Sequence, residues 1–232
     1  MAKMTGAQVL AEMLKGYGIT HIFHVPAVLR RTMYELEERS TIARIQTHGE
    51  KSAAYMADGY SRASKRPSVC MAQVIGAMNL AAGLRDPYLA KSPVLAFTGG
   101  RIPQTKFRKV YQEIDDVPSF DQVTKFNATI DDAGRIPDMV RQAFRVATSG
   151  TPGPVHLQFA GNEGQVDRGE ADMDVLVEHD FDHVPPYRPE PELDRVKAAV
   201  KILAEAKKPV IVAGGGVRAS GAGAELVALA EK

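Results

Sequence analysis

The chain is predicted to be an α/β protein. The predicted architecture is a doubly wound, mainly parallel six-stranded sheet with helices on both faces, followed by a linker and an incomplete second α/β unit. Three observations carry this reading. Strand-like apolar runs alternate with helical segments through residue 160. Most of the runs are continuously apolar, as in strands covered on both faces, rather than alternating. After Phe159 the pattern gives way to an acidic stretch, then resumes only briefly.

The elements follow in order. Thr5 to Gln8 has the capping-box pattern, with the Thr5 hydroxyl accepting from the Gln8 N–H and the Gln8 side chain reaching back. Behind it Val9, Leu10, Met13, Leu14 and Tyr17 share one helical face, and Gly18 supplies a stop. Residues 19–25, "ITHIFHV", read as a strand ending at Pro26. A helix over 32–38 and a short strand over 43–47 come next, then a helix over 50–64, a strand over 68–74 and a helix over 77–85. "PVLAFTGG" is a strand running into a glycine turn, and 101–118 is polar and irregular. A weaker strand over 124–130, a helix over 137–149 and a strand over 154–159 complete the set.

The expected organisation is a first domain over 1–160, a linker over 161–192 and the start of a second domain over 193–232. The linker reading rests on acidity, prolines gathered at its end and the lack of a helical period. The last forty or so residues offer a helix over 193–206, a strand over 209–213, a glycine turn at Gly214 to Gly216 and a final helix. That is too little to enclose a core, so the chain is expected to be a fragment of a longer protein. The alternative is a short subunit whose last elements dock on the first domain.

Bulk composition narrows the function classes. Of 232 residues, 44% are hydrophobic and 25% charged, with a net charge of +1, so the composition is that of a soluble globular protein without a basic block for nucleic acid or anionic membrane. No run reaches the ~18 apolar residues of a membrane span. The single cysteine, Cys70, lies in an apolar run; a buried reduced thiol is expected, which fits a cytoplasmic location. The six histidines show no ligand spacing, and no metal site is expected. His179 and His183 fall in the linker stretch and read as solvated.

The run "THGEKSAAYMADGYSR" (47–62) holds the sharpest candidate. Glu50 opens a helix directly after a short strand, and small residues, Ser52, Ala53 and Ala54, follow it. By itself Glu50 reads either as a first-turn acid favoured by the helix dipole or as a ligand group, since parallel sheets take ligands at strand carboxyl ends. His24, at the end of a strand, is either a proton-transfer group or a carbonyl-bonded structural histidine. Gly214 to Gly216 resembles a dinucleotide fingerprint only loosely. Lys125 reads as a surface cation, and Asp58-Gly59 as a helix-packing pair.

"GEKSAAYMADGYSR" resembles the signature of the N-terminal, pyrimidine-binding domain of thiamine-diphosphate enzymes of the acetolactate synthase type. The likeness continues through "TGAQVLAEMLKGYGITHIFHVP", "GAMNLAAGLRDPYLAKSPVLAFTGG", "VYQEIDDVPSFDQVTKFN", "GTPGPVHLQF" and "AKKPVIVAGGGV", in the family's order. Departures occur at Gly49, where a histidine is usual, at His24 and Ala27, where glycines are usual, and at Val74-Ile75 in place of Gly-Pro.

The resemblance implies that Glu50 hydrogen-bonds N1′ of the cofactor aminopyrimidine and so promotes deprotonation of the thiazolium. It implies that Gly76, Asn79 and Pro26 approach the cofactor, and that His24, Tyr111 and Gln112 line a substrate pocket. His48 stands where the family often has arginine and is read as tuning the carboxylate.

The cofactors implied are thiamine diphosphate and Mg²⁺, the latter held through a domain bearing a Gly-Asp-Gly … Asn motif that this sequence lacks; FAD or ADP has no motif of its own. The partner implied is the diphosphate-binding domain of a second subunit, in a homodimer or tetramer. The substrate implied is a 2-keto acid, in a lyase or carboligase of which this chain alone is inactive. An acyl-CoA-type substrate, as for a 2-hydroxyacyl-CoA lyase, a 2-keto acid decarboxylase, a split subunit with the diphosphate motif on a partner polypeptide, and a catalytically silent nucleotide-binding module are the alternatives.

Overall fold

The structure is a computed structural model, and it describes residues 3–232. A two-residue strand β1 (Met4–Thr5) leads into α1 (Gly6–Gly16). The capping box forms as predicted: Gln8 N–H donates to Thr5 Oγ1 at 3.2 Å and Thr5 N–H to Gln8 Oε1 at 3.1 Å. Gly18 follows the helix at φ 67, the left-handed geometry that ends helices and favours glycine.

Then come β2 (His21–His24), α2 (Arg30–Arg39), β3 (Ala43–Gln46), α3 (Glu50–Ser64) and β4 (Ser68–Ala72). The helix predicted over 77–85 forms as α4 (Ala77–Gly83), and a second helix that was not predicted, α5 (Arg85–Ala90), follows it. Pro87 lies in the first turn of α5, and a proline has no N–H with which to continue the ladder from α4. β5 (Val94–Gly99), β6 (Asn127–Ile130), α6 (Ile136–Thr148) and β7 (Val155–Phe159) complete the main body.

The six strands β2 to β7 form one parallel sheet in the order β3-β2-β4-β5-β7-β6. β4, β5 and β7 are buried at every position, which explains the mainly apolar runs of β4 and β5. One face packs against α1 and α6 through Leu10, Leu14, Met71, Phe97, Val140, Phe144 and Phe159. The other packs against α3 and α4 through Ala53, Ala54, Ala57, Ala77, Leu80, Cys70 and Phe120. Cys70 is fully buried, and desolvation pushes its thiol pKa far up, so it is inert to solvent reagents. Lys125 does more than solvate the surface: its ammonium donates to the carbonyls of Val146 and, at 2.9 Å, Ser149, holding the C-terminal end of α6.

The stretch read as a linker is extended for much of its length, yet 161–182 lies against the first unit. Its β8 (Glu170–Ala171) pairs antiparallel with β1, Met173 is buried in the core, and Glu178 makes a bidentate ion pair with Arg145. Asp167 reaches furthest. α2 has no side-chain cap of its own, and buried Asp167 accepts the Thr32 N–H at 3.2 Å and the Thr32 hydroxyl at 2.9 Å in its first turn. Asp167→Ala is expected to cost about 2–3 kcal/mol, from one lost cap and a buried hydroxyl left unpaired, read as a lower urea midpoint at unchanged slope.

Beyond residue 192 lie α7 (Leu193–Glu205), α8 (Gly215–Ser220) and α9 (Gly223–Ala230). The strand predicted over 209–213 does not form. Val210 and Val212 are 85% and 92% exposed, and no neighbouring strand among the described residues pairs with them. Apolar β-branched residues make a strand only when a partner takes their backbone groups and a core takes their side chains.

Candidate active site

β2 lies between β3 and β4, so the order of the sheet reverses there. In parallel sheets such a reversal, at the carboxyl ends of the strands, is where ligands bind. His24 ends β2, and Glu50 begins α3 after β3. A short relay joins them: Thr47 N–H donates to the His24 carbonyl at 2.9 Å, and Thr47 Oγ1 donates to the Gly49 carbonyl at 2.9 Å. Gly49 is extended (φ −169), with nothing within 4 Å of a Cβ built on it. Gly49→His is therefore expected to change stability by only about 0.5 kcal/mol in either direction, checked by thermal unfolding.

Glu50 faces the start of α4. A Cβ on Gly76 would lie 2.5 Å from the Glu50 carboxyl carbon and 2.6 Å from its Cγ, so only glycine allows this approach. Asn79 Nδ2 donates to Glu50 Oε2 at 3.3 Å, and Oε1 has no hydrogen-bond partner among the described residues. The small residues after Glu50 serve α4: at Gly83 a Cβ would meet Ala54 Cβ at 2.7 Å and the Lys51 carbonyl at 2.9 Å. Thus Glu50 and the turn from Gly76 to Asn79, distant from it in sequence, form one cluster. Asp58 is buried and bound at both oxygens by Arg62, at 2.9 and 2.5 Å, which is a structural pairing within α3.

The other sequence-derived residues make no hydrogen bond to this cluster. His24 has a buried Nδ1 with no partner, and burial, assisted by Arg44, holds its pKa below the ordinary histidine value. Pro26 is exposed, and the turn after it is strained: Ala27 and Leu29 adopt φ of 73 and 45. That geometry costs a side-chain-bearing residue about 1 kcal/mol, and glycine nothing. Val74 is buried, its N–H bonded to the Asn162 carbonyl at 3.0 Å, whereas Ile75 is exposed. Tyr111 stands in solvent, its hydroxyl accepting from Gln112 Nε2 at 3.1 Å, while Gln112 Oε1 is buried and unpaired. His48 is exposed. At Gly214, Gly215 and Gly216 a Cβ would meet nothing within 4 Å, so no present contact requires glycine there.

Three further polar residues escaped sequence reasoning. Gln158 and His156 alternate with apolar residues in β7 and point to the α4 side; polar residues at every second position were the available signal. His156 is fully buried, flat against Phe120 at 3.5 Å. Asn127 donates through Nδ2 to the Val117 carbonyl and to Asp121, so its Oδ1 accepts from His156 Nδ1–H, and His156 Nε2 accepts from the Thr98 hydroxyl at 2.8 Å. Asp116 carried no signal. It is buried beside Asp115 with Oδ2 unpaired, and desolvation followed by the Asp115 charge raises its pKa to about 6.

Comparison with known proteins decides the family. Residues 4–119 match the thiamine pyrophosphate enzyme N-terminal TPP binding domain, and residues 196–232 match the central domain of the same enzymes. The chain belongs to the thiamine pyrophosphate enzyme family. It is 37% identical to a probable acetolactate synthase large subunit of Methanocaldococcus jannaschii, over 98% of this chain and 39% of that protein. It is 33% identical to the corresponding protein of Methanococcus aeolicus, over 98% of this chain and 38% of the relative. With the acetolactate synthase of Arthrospira platensis it shares 33% identity, over 99% and 40% respectively. The chain thus spans about two fifths of the length of the curated relatives it matches. Within this family of enzymes the Glu50 cluster falls in the N-terminal, cofactor-binding part. No helix among the described residues is long and apolar enough to cross a membrane, and no group of three or more His, Cys, Asp or Glu side chains there is placed to hold a metal.

Proposed function

We propose that this chain is the pyrimidine-binding portion of a thiamine-diphosphate-dependent carboligase or lyase acting on a 2-keto acid, with Glu50 as its cofactor-activating residue. One observation carries the reading: Glu50 is anchored at Oε2 by Asn79, has Oε1 free, and lies over a residue with no side chain, Gly76. An oxygen held in place yet unpaired fits a weakly basic ring nitrogen that must share a proton, and the missing Cβ at Gly76 leaves room for the carboxylate itself. The cofactor supplies the carbanion and the electron sink when bound. Glu50 holds a proton at one ring nitrogen, Asn79 fixes the carboxylate that holds it, and Ile75 and Met78, both exposed beside the cluster, give an apolar wall that a closing surface covers.

That closing surface is, in this proposal, the diphosphate-binding domain of a second subunit, which also supplies the Mg²⁺ site. Exposed Tyr55 and Met56 on α3 and Leu89 on α5 support a covered face in the assembled protein. A second reading, a 2-hydroxyacyl-CoA lyase or a 2-keto acid decarboxylase, is favoured by the strained Ala27 turn and by Val74-Ile75, which reshape the substrate side of the crevice. The test is hydrogen–deuterium exchange at the cofactor C2 position in the full-length protein. Glu50→Gln is expected to slow it by a factor of about 10² or more, the scale of a lost acid–base group; exchange at the wild-type rate would remove Glu50 from this role.

A further inference from the structure

The loop that follows β5 carries chemistry the Glu50 cluster does not use. Residues 106–111 read Lys-Phe-Arg-Lys-Val-Tyr. Phe107 is 83% exposed and Tyr111 81%, and Lys106 Nζ stands 5.2 Å from the centroid of the Phe107 ring. The nearby acids are already engaged or turned inward. Glu113 accepts the backbone N–H groups of Phe107 at 3.1 Å and Val110 at 3.3 Å, Asp115 pairs with Arg101 at 2.8 Å, and Asp116 is buried. Lys106, Arg108 and Lys109 therefore meet no carboxylate among the described residues. The backbone is held out of its ordinary range to present them: Phe107, Lys109 and Gln112 have φ of 70, 51 and 60 in a loop without glycine. Strain of this kind gathers where a loop grips a ligand. The loop leaves the carboxyl end of β5, on the same rim of the sheet as Glu50.

We propose that this loop binds an adenine-nucleotide group, with Lys106, Arg108 and Lys109 meeting its phosphates and Phe107 stacking on its base. Clustered cations alone fit any polyanion, but a ring set among them fits a ligand that joins phosphates to a flat heterocycle. An acidic peptide satisfies the cations and leaves Phe107 in water. The group comes from one of two sources, the handle of a coenzyme A thioester or a free nucleotide. The proposal rests on the reading above only in placing the loop beside a reaction site.

ADP is the probe, titrated by calorimetry into the full-length protein without cofactor. Wild type is expected to bind it, more weakly as salt rises. Combined Lys106→Ala, Arg108→Ala and Lys109→Ala is expected to weaken binding at least tenfold, and Phe107→Ala at least threefold, at unchanged melting temperature. Displacement of ADP by coenzyme A assigns the thioester handle, and ADP binding without such displacement assigns the free nucleotide. No binding to wild type, equal affinity in the triple variant, or displacement of ADP by thiamine diphosphate overturns the proposal. Glu50→Gln is expected to keep wild-type ADP affinity, so a failure of the Glu50 role and a failure of this site are read separately.

Discussion

Gly76→Val is expected to slow cofactor C2 exchange by a factor of about 10² or more in the full-length protein, with little loss of stability. The backbone at Gly76 has φ −94 and ψ 0, which other residues adopt, so the fold does not demand glycine for its dihedrals. The demand comes from Glu50. A Cβ would overlap the Glu50 carboxyl carbon and Cγ, and valine adds two more methyl carbons beyond it. The flexible, part-exposed Glu50 side chain yields rather than the backbone, swinging off Asn79 and away from the crevice. Displacing a positioned group by about 1 Å is enough to lose ~10² in rate. Gly76→Ala is expected to lie between wild type and valine. Wild-type exchange with an intact melting temperature in Gly76→Val would show that the packing of Glu50 on Gly76 does not position the reactive carboxylate.

Acidification is expected to remove stability on the order of 4 kcal/mol through His156 alone. Burial lowers its pKa from 6.5 to about 3, because the imidazolium would lose its hydration between Phe120, Thr98 and Asn127. Folding therefore favours the neutral ring. The contribution is fully present above about pH 6.5 and drains away as pH falls toward about 3. Asp116 works in the opposite sense. Its folded pKa is raised to about 6, so its carboxyl is tolerated at low pH and destabilises as pH climbs through that value.

Two variants separate the terms. His156→Gln keeps hydrogen-bonding capacity without titrating, and is expected to flatten the fall in urea-unfolding stability between about pH 6.5 and 4. Asp116→Asn is expected to stabilise the protein above about pH 6 by roughly 1–2 kcal/mol. An acid slope identical in wild type and His156→Gln would mean that His156 is hydrated in the native state.

Much of the fold was legible in the residues because its determinants are local. All six strands of the main sheet were anticipated, most of them from continuous apolar runs, and the Thr5–Gln8 box and Gly18 marked the two ends of α1. α3 begins and ends at the predicted residues, 50 and 64. The site was partly legible, since Glu50, Gly76 and Asn79 were all candidates and the structure brings them into contact. Periodicity misled at 209–213, where an apolar run found no partner strand, and it gave no sign of α5 after α4.

What the amino-acid sequence determined by itself was the series of helices and strands, the parallel character of the sheet and a carboxylate at the mouth of α3. Only the tertiary structure decided that Asp167 caps α2 across 135 residues, that His156 is sealed between Thr98 and Asn127, and that Gly76 leaves space for Glu50. The reason is physical. Helix caps and hydrophobic periods are satisfied within a few residues of chain, whereas a buried hydrogen bond or a missing Cβ acquires its meaning from an atom that sequence distance does not reveal.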